Sequence, residues 1–359
     1  MGFFDKKSFV GLDLGHFSIK AIQIEKSGHS WKITRSGSIP TPPETIKDGV
    51  VIDTGTLAEA IKGLLKACHI SASTAHIAAA GGSVFVRPVA FPKMTETALR
   101  KSIKFEASRY VPGSVDDSFI EFEILGAIDE THMNVLIVAA PKDIVESRME
   151  ACRKAGLDVD SVDIEAFAMY RALIETDETL SQGEGTLAVV DVGAFSTNVS
   201  VVVNGVFAMN RTIPNGGATL TEALKAYFKL SDEDAETGKS QLNAADMIGE
   251  VGPKENPPLR VIQPHLDDLV REIRRSLNYF QSQQTDISAG KDIARIILAG
   301  GGAKMPGFGI FLEQKLGIPV SPVGVFHNPR FLPMAGDEDS GLDLAIATGL
   351  AMRGYAKAV

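Results

Sequence analysis

Little in this sequence points to a membrane, a metal site or a nucleic acid. Cysteine is scarce: Cys68 and Cys152 are the only two, and neither lies in a Cys-x-x-Cys or Cys/His pattern. That argues against structural zinc and for two small apolar residues in a reducing compartment. Long apolar runs are absent too. Stretches such as VLIVAAP (135–141) fall far short of the ~18 residues a spanning helix needs. The amino terminus, MGFFDKKSF, has no apolar segment of the signal-peptide kind, and Lys6 stands where a myristoylation signal carries Ser or Thr. Basic residues are outnumbered 36 to 45, for a net charge of −9, which argues against general nucleic-acid binding through phosphate neutralisation and leaves acidic partners open only where charge is locally reversed. These absences predict a cytoplasmic or peripheral chain that reaches a membrane only through a partner. With 359 residues, 44 % hydrophobic and 23 % charged, it has the composition of a soluble protein of two domains.

A short pattern occurs twice. Residues 9–24 read FVGLDLGHFSIKAIQI and residues 187–202 read LAVVDVGAFSTNVSVV. Asp13 pairs with Asp191, Gly15 with Gly193, Phe17 with Phe195 and Ser18 with Ser196, about half a chain apart. This spacing predicts two similar half-molecules rather than a short-period tandem array. Each copy reads as an alternating strand, a tight Asp-x-Gly turn and a second strand. Such turns present backbone N–H groups in a concave array suited to phosphate oxygens. Ser18, Ser196 and Thr197 would add hydroxyl donors, and Lys20 a point charge. Asp13 and Asp191, at strand ends, are candidates to hold Mg²⁺ through its waters. One such turn alone is most often a plain hairpin; its recurrence in register favours phosphate binding.

Two further glycine groups are candidates. In IILAGGGAKMPGF, Gly300, Gly301 and Gly302 follow a buried strand and precede a helix, so backbone can approach a ligand. The spacing fits neither a Rossmann fingerprint nor a P-loop, and a plain strand-to-helix turn stays open. Gly216 and Gly217, in RTIPNGGATLTEAL, open another predicted helix.

Along the chain, helices are predicted over 56–68 with Thr56 as cap, over 95–111, over 142–155, over 161–175, around 231–250 and over 263–283. Residues 74–92, 119–125 and 134–141 read as strands, with Gly81-Gly82 marking a break. GPKENPP and AGDEDSG read as loops. Strands and helices alternate within two halves, so the class is α/β.

These pieces resemble the actin-like ATPase superfamily, over nearly the whole chain. SVDIEAFAMYRAL and LAIATGLAM look like its two connecting helices, and Glu236 and Lys239 in AETGKSQ match an AExxK pattern whose charged pair contacts adenosine there. Within it, VFVRPVAFPKMTETALRKSIKFEASRYVP, VDIEAFAMYRAL and LDDLVREIRRSLNYF resemble the PilM family of type IV pilus assembly proteins. The resemblance implies a two-lobed actin-like (ASKHA) fold with an FtsA-like 1C subdomain. Subdomain 1A would span 1–84 and 161–186, 1C 85–160, 2A 187–220 and 290–345, and 2B 221–289, with 346–359 a closing helix returning to the first lobe. It implies ATP and Mg²⁺ as cofactors and the cytoplasmic N-terminal tail of PilN as partner, held between 1A and 1C. Other pilus platform or motor proteins are further candidates. One departure stands out: His16 and Phe17 follow the first Asp-x-Gly, where the family has small polar residues. The rings would either pack behind the turn or narrow the phosphate site.

The expected role is an ATP-binding adaptor. An actin-like cytoskeletal or division scaffold is a second reading, disfavoured because no amphipathic membrane helix follows the closing helix. A sugar-kinase-like phosphotransferase is a third; Glu165 could orient an attacking water, but no Asp/His constellation marks an acceptor site. His16 is a weaker candidate base. The helix over 93–110 carries three more basic than acidic side chains, and with Arg87 is expected to border the tail groove and steer the tail.

Overall fold

Alternation builds the first hairpin as expected: β1 (Phe9–Leu14) runs antiparallel to β2 (Ser18–Ser27), with Asp13 opposite Lys20. The computed structural model describes residues 8–248, 256–283, 292–332 and 341–355. After β2 come β3 (Ser30–Pro40), the short pair β4 (Ile46–Lys47) and β5 (Val50–Val51), α1 (Thr54–Ala67) and β6 (Thr74–Ala79). The insert comprises β7 (Phe85–Pro92), α2 (Glu96–Ala107), β8 (Ser118–Ala127) and β9 (His132–Pro141). Then α3 (Lys142–Lys154), β10 (Asp158–Ile164), α4 (Glu165–Tyr170, prolonged by a π-helical turn over Arg171–Glu175) and α5 (Glu178–Ser181) lead to the second half.

That half holds β11 (Thr186–Val192), β12 (Thr197–Val203), β13 (Val206–Ile213), α6 (Gly217–Phe228), α7 (Asp232–Ser240) and α8 (Pro257–Gln283). It closes with β14 (Ile293–Ala299), α9 (Phe308–Leu316), β15 (Val320–Pro322), β16 (Phe331–Leu332) and α10 (Ala345–Arg353).

The duplication extends well beyond the turn. The first sheet runs β10-β6-β1-β2-β3-β16 and the second β15-β14-β11-β12-β13. In each, an antiparallel three-strand meander continues into two parallel strands on the side of its first member. Parallel strands need helical crossovers that cover the sheet faces, so β1, β6 and β11 are buried on both faces over nearly their whole length, and β14 from Ile296 onward. The stripe that helical spacing puts on α8, Leu266, Leu269, Val270, Ile273, Leu277 and Phe280, is buried in the second core. Between the sheets, Ala168, Met169 and Leu173 pack with Ala347, Leu350 and Ala351 of α10, so the connecting helices share one core.

Several expectations are corrected. Asp53, not Thr56, caps α1: its carboxylate accepts from the Thr56 amide at 2.9 Å, as a carboxylate at a helix N-terminus favours. The helix expected over 161–175 begins only at Glu165, because 158–164 pairs in parallel with β6. The insert is also shorter than 85–160. Its three-stranded sheet, β7-β9-β8, and α2 form their own core, whereas Ala151, Cys152, Ala155 and Leu157 pack into the first lobe with α1. The spacing of Leu99, Ile103, Ala107 and Tyr110 predicts one apolar stripe on α2, but Tyr110 lies beyond the end of the helix and is exposed. The acidic helix expected around 231–250 ends at Ser240, and Ala244–Met247 form a separate 3₁₀ turn. Most of GPKENPP and AGDEDSG, and residues 356–359, lie outside the described residues. Pro257 and Pro258 open α8, where a missing N–H costs nothing. No described helix is long and apolar enough to cross a membrane.

Candidate functional site

The two Asp-x-Gly turns, α6, α7 and the triple-glycine turn surround a single cleft of about 600 Å³. Asp13, Gly15, Ser18 and Lys20 line it from the first lobe; Asp191, Gly193, Ser196, Gly216 and Gly217 face them from the second. Glu236, Lys239 and Gly300, Gly301 and Gly302 complete the second lobe's side, and Glu165 enters from the start of α4. Of the residues expected from sequence, Thr197 alone is absent from the lining. It is fully buried, and its hydroxyl donates to the Asn215 carbonyl at 2.8 Å, bracing β12 instead.

The glycines let backbone close in. At Gly216 a Cβ would lie 2.5 Å from the Gly193 carbonyl oxygen and 2.6 Å from that of Ala194. The Gly217 and Ala218 amides donate to those same two carbonyls at 2.9 and 2.8 Å, so the second turn is seated on the start of α6. Gly300 has φ +91°, and a Cβ there would lie 2.3 Å from Asp191 Oδ1. In the first turn, Thr41 Oγ1 donates to the Gly15 carbonyl at 2.6 Å.

Acidic groups crowd the cleft. Lys20 Nζ lies 3.3 Å from Asp13 Oδ2. Burial by itself lowers the Lys20 pKa, but the charges of Asp13, Asp343 and Asp191 outweigh it and the net shift is upward. Burial, then the Asp13 charge, raises Asp191 to about 6 against the opposing hydrogen bond from Asn198. Burial and Asp13 likewise push Glu165 up to about 8, opposed by the Arg148 charge; Asn198 Nδ2 donates to its Oε2 at 3.4 Å. Asp13 raises both Asp191 and Glu165, Asp191 also raises Glu165, and a cation among them would relieve the repulsion. No cluster of three or more acidic, His or Cys side chains forms a protein-only metal site among the described residues; Mg²⁺ there would keep its waters and take up phosphate oxygens.

At the far end, Lys239 Nζ donates to Glu236 Oε2 at 2.7 Å and to Thr221 Oγ1 at 2.9 Å, fixing the AExxK pair as a unit. Phe17 and Phe195 do not pack behind their turns. They are 59 % and 60 % exposed at the cleft mouth, with the His16 ring 5.4 Å from that of Phe195 across the lobes. Burial and then the Arg148 charge lower the His16 pKa, opposed by Asp48 and Asp13.

Sequence reasoning missed Arg148. It is fully buried on α3, donating from Nε to the Gly49 carbonyl at 2.9 Å and from one terminal nitrogen to Ala78 at 3.1 Å and Leu14 at 3.3 Å. The available signal was its position on the apolar stripe Ile144, Val145, Arg148, Ala151, Cys152.

A second groove, of about 760 Å³, opens where the insert meets the first lobe. Ser83, Phe85, Pro112, Ser114, Lys142 and Asp143 line it. Arg87 and the basic residues of α2 do not. Arg100 and Arg109 are paired instead with Glu96, Glu121 and Glu106 on the insert's surface.

Comparison with known proteins settles the family. The family model of type IV pilus assembly protein PilM matches residues 11–355. The chain belongs to the PilM family. A solved PilM–PilN type IV pilus biogenesis complex superposes with a TM-score of 0.83 at 26 % identity, covering 97 % of this chain and 99 % of that one. The fold extends to an MreB of Spiroplasma citri bound to AMPPNP, with a TM-score of 0.52, 13 % identity, and 96 % and 95 % coverage. Cell division protein FtsA of Streptococcus pneumoniae is 24 % identical over 90 % of this chain and 78 % of its own length. The fold is therefore the two-lobed actin-like fold. A role in type IV pilus assembly follows from membership of the PilM family.

Proposed function

We propose that this chain is an ATP-binding adaptor of the type IV pilus assembly platform that captures the cytoplasmic N-terminal tail of PilN. The observation that supports it most is the meeting of both Asp-x-Gly turns in one cleft within a PilM-family fold that superposes on a PilM–PilN complex. In this reading β1–β6, α1, α3, β10 and α4 make subdomain 1A and the insert 1C. The second sheet with α9 makes 2A, and α6 to α8 make 2B.

Ser18, Ser196, Lys20 and the turn amides would hold the phosphate tail. Asp13 and Asp191 would hold Mg²⁺ through water, and Gly216, Gly217, Glu236, Lys239 and Gly300 to Gly302 the adenosine end. Mg²⁺ would supply charge neutralisation between the acidic turns and the phosphates. Because the donors come from both lobes, the occupied cleft ties the lobes together. Nucleotide then shifts the tail groove only by its differential affinity for the lobe arrangements.

Glu165 would orient water for slow hydrolysis at most. Burial and the Asp13 charge raise its carboxyl to about 8, near the range a general base needs. Membership of the PilM family favours adaptor over phosphotransferase. The groove at Ser83, Phe85 and Lys142 is the proposed seat of the PilN tail, with membrane association through PilN and contacts to other platform or motor proteins. The test is titration of the purified chain with Mg·ATP: saturable binding in the wild type, weakened at least tenfold in Asp13→Ala and Asp191→Ala with both variants folded. Unchanged affinity in both variants refutes the site.

A further inference from the structure

The insert's central strand runs into α3 with no linker: β9 ends at Pro141 and α3 starts at Lys142. Lys142 and Asp143 line the second groove, and Lys142 Nζ donates to the Asp116 carbonyl of the insert at 2.5 Å. Six residues on, about 9 Å along the helix axis, Arg148 donates to Leu14, the residue before Gly15 of the first turn. One side chain thus joins α3 to the first turn, to β6 through Ala78 and to the β4–β5 turn through Gly49.

This contact is expensive. The guanidinium is buried with only carbonyl partners, and its second terminal nitrogen has none. Burying such a charge without a bonded carboxylate costs far more than an apolar residue of similar volume at that place on the stripe. The planar fork also fixes geometry in a way an aliphatic side chain does not. The arrangement fits a residue kept for where it places the turn.

We propose that Arg148 is a positioning residue that ties α3 to the first phosphate turn, so that displacement of the insert when its groove is filled reaches the nucleotide cleft through α3. The proposal rests on the two-site reading above, and its test separates the two. Hydrogen exchange of the amides at 14–18 is followed by mass spectrometry in the full chain, free and with a synthetic PilN N-terminal peptide. In the wild type, bound peptide changes exchange at 14–18 several-fold. Arg148→Lys, which cannot reach all three carbonyls, exchanges there about tenfold faster when free. It binds peptide within about twofold of wild type, as its remote place predicts, and its turn no longer responds. An unchanged response in Arg148→Lys, or a wild-type turn indifferent to bound peptide, overturns the proposal. If Arg148→Lys fails to fold, Arg148→Met, an apolar residue of similar volume on the same stripe, replaces it: exchange at 14–18 must quicken when free and no longer respond to peptide, and a full response sinks the idea. If the wild type binds no peptide, the partner reading fails. The tie is then decided in the free protein, where unaccelerated exchange at 14–18 in the folded variant, whether Arg148→Lys or Arg148→Met, rejects it and acceleration supports it.

Discussion

Lys20 stands across the β1–β2 hairpin from Asp13, and Asn198 stands in the same place across β11–β12 from Asp191. The duplicated motif has diverged at this partner, as it has at His16 against Ala194. The first turn has an ammonium 3.3 Å from its aspartate. The second has an amide that also reaches Glu165 and accepts from Thr212 Oγ1 at 2.8 Å. The first turn therefore carries a fixed positive charge beside its aspartate, and the second turn has a neutral amide in that place.

Lys20→Met removes that charge while keeping the aliphatic stem. Its affinity for ATP should fall about 10- to 100-fold, a loss of about 1.4 to 2.8 kcal/mol. Calorimetric titration checks this; an unaltered affinity would mean that Lys20 only neutralises Asp13.

The raised acids make stability depend on pH with a definite sign. Asp191 and Glu165 hold protons up to about 6 and about 8 in the folded chain, whereas their unfolded values lie near ~4. The native state therefore binds more protons between about pH 4 and 8, and these two groups lower stability as pH rises through that window. Asp191→Asn should be near wild type at pH 4 and gain on it with rising pH, reaching on the order of 2 kcal/mol above pH 7. Denaturant titrations at pH 4, 6 and 8 measure this; a constant difference contradicts the proton assignment.

Gly216→Ala puts a Cβ against two carbonyl oxygens that the turn cannot easily move. A loss of about 1–3 kcal/mol is expected, as for overpacked sites, with weaker nucleotide binding. A thermal midpoint equal to wild type would show that α6 and the second turn slide apart freely.

The groove and α2 should separate in their kinetics. Ser83→Trp fills the groove and should weaken peptide binding at least tenfold through faster dissociation. Lys101→Glu with Lys104→Glu lies outside the lining and should change the association rate and its salt dependence, with dissociation little altered. Surface-plasmon traces at two ionic strengths distinguish the two; equal effects on dissociation would place α2 in the groove.

Much of this cleft was legible because its parts are local. Strand alternation and Asp-x-Gly spacing give each turn from about sixteen consecutive residues, and duplication supplies an internal control. The rest depends on tertiary pairing. Residues 161–164 read as the start of a helix yet belong to β10, because β6 offers a parallel edge to pair with. The third meander strands, β3 and β13, diverge between the halves and left no repeat to see. Thr197 follows Ser196 in sequence, yet β-strand alternation turns it into the core. Arg148 looks like a solvent-facing charge unless its place on the apolar stripe is noticed, and even then the carbonyls it meets come from residues up to 134 positions away.

The most direct measurement of the central claim is calorimetric titration of the purified chain with the PilN N-terminal peptide, in the presence and absence of Mg·ATP. The account predicts saturable binding of one peptide per chain, with an affinity that changes about fivefold or more between the two conditions, the lower end of ordinary coupling. A folded chain that binds no peptide in either condition contradicts the adaptor assignment.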